Sequence, residues 1–238
     1  MSDLAMRAAS GLASLLLLLP CAAFAQDERR VTSPDGRLEF RIFVTSQADT
    51  TMPRLAYQVM EEGRTLVGTS LLGFDLLEQE PLLGENAGLV SSKQSSGAGF
   101  NSLYTHYMQN GSLGRYLDVE ARAYNAGIAF RFVIPHSTPV ERLLIAAETT
   151  EFGVPHAPAA ELSVPFEADR LTVTEIPVPG YPKMALTSQD HGTYAVVRLS
   201  GSTTIPHAVY DGRPPFTSPW RIILTGPKPR TLAALPGL

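Results

Sequence analysis

Residues Leu117–Pro135 read LDVEARAYNAGIAFRFVIP. Leu117, Val119, Ala121 and Ala123 alternate with Asp118, Glu120 and Arg122. After Asn125-Ala126-Gly127, the residues Ile128, Phe130, Phe132 and Ile134 alternate again. A period of two puts one set of side chains on a core-facing surface and the other set on the opposite face of a strand. Two such runs around a short Asn- and Gly-containing step read as a β-hairpin. Pro135 ends it, because proline has no N–H to give to a ladder.

The same period recurs on both sides. Leu38, Phe40, Ile42 and Val44 follow the turn Pro34-Asp35-Gly36, and Leu55, Tyr57 and Val59 lead through Glu61-Glu62-Gly63-Arg64 into Thr65-Leu66-Val67. Further strands are expected at Leu72–Leu77, Leu143–Phe152, Leu171–Glu175 and Trp220–Thr225. Met184–Thr187 and Tyr194–Leu199 form a hairpin around Gln189-Asp190-His191-Gly192. Ser91–Gly99, SSKQSSGAG, reads as a flexible polar loop and Val154–Pro165 as a long connection. No apolar stripe of period 3.6 is long enough for a core helix, apart from a short turn near Leu232. Many short strands with little helix predict an all-β fold, a large two-sheet antiparallel β-sandwich.

The balance of 19 Lys plus Arg against 23 Asp plus Glu gives a net charge of −4, which argues against nucleic acid as a partner. Apolar residues at 44% supply a core, and the 19 prolines favour turns over helices. The single Cys excludes an internal disulfide and a Cys-based zinc site. Arg7, the apolar run Ala8–Pro20 (AASGLASLLLLLP) and Ala23-Phe24-Ala25 form a secretory signal. The run is shorter than the roughly 20 residues of a membrane span. Pro20 before Cys21 disfavours lipidation. Initiation at Met1 or at Met6 fits equally. The expectation is a signal peptide over 1–25, cleavage near Ala25, and one exported β-sandwich domain over 26–238 that is periplasmic or secreted.

Candidate chemistry is sparse. His106, His136, His156, His191 and His207 show no metal-ligand spacing and read as surface histidines. No Gly-x-Ser-x-Gly elbow exists. Glu148, Glu151, Glu161, Glu167, Asp169, Glu175, Asp190 and Asp211 are plentiful, yet glycoside hydrolysis needs two carboxylates held across a sugar ring, and spacing in sequence does not supply that. Trp220 opens an apolar strand and is expected in the core. Phe100, Tyr104 and Tyr107 fit a groove or a core face equally.

Four segments carry a family resemblance. Val31–Leu38 (VTSPDGRL), Arg122–Pro135 (RAYNAGIAFRFVIP), Glu148–Phe152 (ETTEF) and Thr217–Ile223 (TSPWRII) occur in an order that resembles the N-terminal domain of glycoside hydrolase family 97, a family of α-glucosidases and α-galactosidases. The resemblance implies a supersandwich like that of galactose mutarotase. In full-length members a catalytic (β/α)8 barrel follows and carries the acid and the base or nucleophile. A barrel takes about 250 residues, more than this chain has room for. No catalytic or cofactor-binding residues are therefore expected here. The stretch GVPHAPAAELSVPFEADR lacks the family's tryptophan, and Gly192-Thr193-Tyr194 is not followed by the family's acidic run. Glu167 matches the single carboxylate that this domain gives to the family's calcium site. One carboxylate does not make a site of 6–8 oxygens, so no autonomous calcium binding is expected. The implied role is a carbohydrate-associated, carbohydrate-binding domain that is not hydrolytic alone. Its partners would be a saccharide or a separately encoded catalytic barrel, with no nucleic acid and no membrane span. The alternatives are a fragment of a split glycoside hydrolase and a mutarotase-like sugar epimerase. An apolar patch is expected where the barrel would sit.

Overall fold

The computed structural model describes residues 26–46, 52–111, 114–154, 161–189, 194–199, 201 and 203–238. The signal segment with Cys21, the turn residues Asp190 and His191, and His156 lie outside them. Among the described residues nineteen strands run β1 Gln26–Thr32, β2 Leu38–Thr45, β3 Arg54–Glu61, β4 Arg64–Leu71, β5 Phe74–Leu76, β6 Ala87–Gly97, β7 Phe100–Gln109, β8 Tyr116–Tyr124, β9 Gly127–Ile134, β10 Leu143–Glu148, β11 Glu151–Phe152, β12 Glu161–Leu162, β13 Phe166–Glu167, β14 Leu171–Ile176, β15 Met184–Gln189, β16 Tyr194–Leu199, β17 Tyr210–Gly212, β18 Phe216–Thr217 and β19 Trp220–Thr225. A 3-10 turn at Leu232–Ala234 follows. No helix among the described residues is long and apolar enough to cross a membrane.

The fold is an all-β antiparallel sandwich. One layer is an eight-stranded sheet in the order β13-β14-β19-β9-β8-β7-β6, with β18 paired to β9. The other layer is divided into smaller sheets, β1-β2-β3-β4, β17-β10-β5 and β11-β16-β15-β12. Cross-strand partners share a face, so the register gives each side chain its environment. Leu103, Ala121 and Phe130 stand in one row across β7, β8 and β9. They enter the core together with Phe40 and Ile42 of β2 and Tyr57 of β3. Phe130 lies 5.7 Å from Phe40, 4.9 Å from Tyr57, 6.2 Å from Phe132 and 6.3 Å from Phe152, so four strands of both layers meet on one ring. Offset and edge contacts of this kind add to the burial term.

Turns and close approaches follow local chemistry. Glu62 and Gly63 have φ of 51° and 76°, both positive as a two-residue hairpin turn of this twist requires. Gly68 donates to the Gly153 carbonyl at 3.0 Å and ties β4 to β11. A Cβ on Gly153 would stand 3.1 Å from the Gly68 backbone, which explains glycine there.

Two expectations need correction. Ser91–Gly97 is not a loop but most of β6, an edge strand paired with β7 from Ala87 to Gly97, with one register shift between Leu89 and Ser91. Its serines, lysine and glutamine are exposed, so hydropathy carried no sign of a strand held by backbone bonds. Leu143–Phe152 is two strands, since Thr149-Thr150 breaks the ladder between β10 and β11. The exposed large hydrophobics among the described residues are Met52, Val90, Tyr104 and Leu232, spread over four separate stretches. On the outer face of the large sheet Tyr124, Trp220, Ile222 and Leu224 form a small second cluster, covered by the chain's own Leu235 and Leu238.

Phe130→Ala is expected to cost about 3–5 kcal/mol, the range for removing a buried aromatic ring. Urea unfolding followed by circular dichroism would show the lowered midpoint.

Candidate functional site

The alternation that buries Leu103, Ala121 and Phe130 aims the intervening residues outward. Register brings Tyr104 beside Glu120 and Arg131, His106 beside Asp118, and Met108 beside Tyr116. Tyr104 Oη donates to Asp118 Oδ2 at 2.5 Å, and His106 Nδ1 lies 2.5 Å from Asp118 Oδ1. The His106 ring stacks on Tyr116 at 4.8 Å and 17°. The Asp118 side chain is only 4% exposed, whereas His106 retains 26% and Tyr104 38%, so the carboxylate orients two accessible groups. The Tyr104 phenol is held above its ordinary pKa, first by burial and then by its bond to Asp118.

Next to it Glu120 accepts from Arg131 Nε and Nη2 at 2.8 and 2.6 Å and from Arg122 Nε and Nη2 at 3.1 and 3.0 Å. Both guanidinium groups lie over the Trp220 ring, at 4.3 Å for Arg131 and 4.7 Å for Arg122. Arg122 also covers Phe100 at 4.9 Å. Trp220 is buried as expected, but in the outer cluster rather than the main core. With cations over its ring, its π face serves the protein itself. The accessible part of this face is the Tyr104–His106–Tyr116 row, which presents ring surface, a phenol and an imidazole oriented by a carboxylate.

The residues singled out by type scatter. His136 and His207 are exposed, and His136 lines a cleft of about 600 Å3 with Thr138, Glu141, Arg142 and Arg213. Asp211 accepts from Arg142 at 2.9 and 2.6 Å, and that bond holds its carboxyl below the ordinary value. His106 departs from the plain surface reading because it pairs with Asp118. The fold does bring two of the candidate carboxylates together. Glu148 and Glu175 both bind Arg221, Glu175 Oε2 at 2.5 Å from its Nη1, with Glu148 taking Nε at 2.8 Å and also Nη2. Arg221 and Glu148 are completely buried, and Tyr181 donates to Glu148 at 3.2 Å. Burial acts to lower the Arg221 pKa, and the two carboxylates more than offset it. There is no room for a sugar between these acids, so this is a buried ionic lock. Glu151 caps the Leu71 N–H at 2.9 Å. Glu167 accepts from the Thr172 hydroxyl at 2.6 Å and lies 3.5 Å from Lys228 and 3.3 Å from Arg230. The Thr172 bond and these cations keep it ionised below its ordinary pKa. Its charge is thus already balanced. No group of three or more His, Cys, Asp or Glu able to hold a metal occurs among the described residues. Asp118 and Glu120 were visible in sequence only as the polar half of a strand. The signal that locates them is their register against Tyr104 and His106.

Glu148→Gln would leave Arg221 without its main counter-charge in a dry site and is expected to cost about 3–5 kcal/mol, read as a fall in the urea midpoint. The phenols of Tyr57, Tyr104, Tyr107 and Tyr181 are all raised, by burial first. Unfolded tyrosines ionise near pH ~10. Above that pH the folded state retains protons that the unfolded state has lost, so stability is full below about pH 10 and falls as pH rises beyond it. Urea midpoints that drop on going from about pH 9 to pH 11 would show this.

Comparison with known proteins places this geometry. The family model of the glycosyl-hydrolase 97 N-terminal domain matches residues 31–168. A retaining α-galactosidase of Bacteroides thetaiotaomicron is 31% identical over 165 residues, which cover 64% of this chain and 23% of the enzyme. The chain thus spans about a quarter of that relative. A glycoside hydrolase family 97 enzyme from Pseudoalteromonas sp. strain K8, solved with acarbose, superposes with a TM-score of 0.68 at 19% identity over 83% of this chain and 35% of its own. A β-arabinopyranosidase superposes with a TM-score of 0.65 at 20% identity over 84% of this chain and 40% of its own. At these identities the structures speak for the fold. The sequence match, which contains the hairpin of β8 and β9 and the residues Tyr104, His106 and Asp118, decides the family: the chain belongs to the glycosyl-hydrolase 97 N-terminal family.

Proposed function

We propose that this chain is an exported, carbohydrate-associated domain, not hydrolytic alone, that works beside a glycoside hydrolase catalytic domain. Its sandwich would occupy residues 26–238, after a signal peptide of residues 1–25. Family membership supports the carbohydrate context. The observation that carries binding is the partly exposed Tyr104–His106–Tyr116 row oriented by Asp118. Ring faces suit the C–H faces of sugars, and the phenol and imidazole offer hydrogen bonds to hydroxyls. The buried acids support the non-hydrolytic part, since Glu148 and Glu175 are consumed by Arg221.

Isothermal titration with α-galactosides and maltooligosaccharides is expected to give a Kd of about 1 mM, or about −4 kcal/mol. His106→Ala should weaken it about tenfold. No heat at millimolar protein would overturn the binding reading, and release of aryl alcohol from an aryl α-galactoside would overturn the non-hydrolytic one. For export, the N-terminus of the protein recovered from periplasm should be Gln26.

A second reading has one observation in its favour. His106–Asp118 is the one histidine–carboxylate pair among the described residues, and mutarotation needs an acid and a base at the sugar. Polarimetry of glucose and galactose decides it. Unchanged interconversion rates would dismiss the epimerase.

A further inference from the structure

We propose that a second, neutral saccharide site lies in the polar groove where the β6–β7 hairpin overhangs β1. The groove encloses about 250 Å3 and is lined by Thr32, Gln94, Ser95, Ser96, Asn101 and Ser102, with the buried Val31 behind them. At about 30 Å3 per water that is room for roughly eight waters, close to one sugar ring. Gln94 pairs with Leu103 and Ser96 with Asn101, so the side chains of Gln94, Ser96 and Asn101 stand on the core side of the large sheet, while the Ser95–Ser102 pair between them turns to the opposite face. Tyr104 and His106 occupy the opposite face. The inference deepens the carbohydrate reading but rests on different residues.

The wall is preorganised. Gln94 Nε2 donates to the Arg30 carbonyl at 2.7 Å, and Asn101 Nδ2 donates to the Thr32 carbonyl at 2.9 Å. Each amide is thereby fixed to β1 through its donor, and its own carbonyl oxygen remains as an acceptor. The Ser95 and Ser102 hydroxyls lie 2.7 Å apart, and Ser102 also reaches the Ser95 carbonyl at 3.3 Å. Ser102 gives its one proton to the Ser95 carbonyl, so Ser95 is the donor of the hydroxyl pair, and the hydroxyls left to the groove are those of Thr32 and Ser96. Backbone pairing with β7 holds the whole segment, so binding pays no ordering entropy for a loop.

The chemistry selects the ligand class. No charged side chain lines the groove, so an ion finds no counter-charge. An apolar ligand would strip water from amide oxygens and hydroxyls and return nothing, which is costly. A polyol satisfies acceptors and donors in turn. Neutral sugars are uncharged and polar in this way.

The test is two-dimensional NMR of the 15N-labelled chain, titrated with methyl α-galactoside and with maltotriose. Saturable shifts are expected at the amides of Thr32, Ser95, Ser96 and Asn101, with Kd of about 1–10 mM. Ser96→Trp, a change at an exposed position that fills the groove, should weaken these at least about tenfold. Shifts at Tyr104 and His106 report the outer face in the same spectra and should survive that change. Groove amides that stay still with both sugars, or that shift equally in Ser96→Trp, would overturn this site whatever the outer face does. Groove shifts without outer-face shifts would uphold it and count against the outer site.

Discussion

The register of the hairpin between β8 and β9 is the constraint on which the rest of the molecule depends. Tyr124 faces Gly127 across the two-residue connection, and every pair from Asp118–Val133 to Tyr124–Gly127 follows from it. Because side chains alternate with period two, a slip of β9 by one residue would send Phe130 and Phe132 outward and bring Arg131 into the core. The connection is anchored on both sides. Asn125 accepts from the Asp35 N–H at 3.1 Å, and the Ala126 carbonyl accepts from Thr225 at 2.9 Å. One local geometry therefore sets the aromatic core, the Glu120–arginine clamp and the Asp118 cluster together.

Charge is used inside as well as outside. Arg221 shares strand β19 with Trp220 and Ile222, yet it points into the sandwich, where Glu148 and Glu175 meet it. Arg115 is as deeply buried, but it is satisfied by Gln109 at 2.7 Å and by the carbonyls of Gln79 and Pro81 rather than by an acid. Burial lowers its pKa more than the charge of Glu80 raises it, in contrast to Arg221. Such groups add little net stability compared with apolar packing, but each is costly to leave unpaired. They tie separate sheets together: β10, β14 and β19 meet at Arg221, while Arg115 joins the end of β7 to the loop after β5.

Much of the fold was legible in the pattern. The strands built on Leu38–Val44, Leu55–Val59, Leu117–Ile134 and Trp220–Thr225 lie where period-two alternation put them. Ser91–Gly97 was missed because an edge strand exposed along most of its length has no apolar half to display. Its pairing rests on backbone bonds to β7, to which hydropathy is blind. The site was less legible. Glu148 and Glu175 drew attention by residue type and proved to be structural. Asp118 and Glu120 looked like ordinary solvated positions until Tyr104, His106 and Arg131 were seen opposite them.

The sequence by itself determined an all-β chain and its family, because alternation is a local property and four ordered segments carry the likeness. Tertiary structure alone decided which charges are locked and which are available. Whether a carboxylate is free depends on what stands within a few ångströms across a sheet, from Arg221 against Glu148 to Thr172 against Glu167. Those neighbours are set by strand order and register, and residues 73 apart in the chain hold no mutual signal until the sheets form.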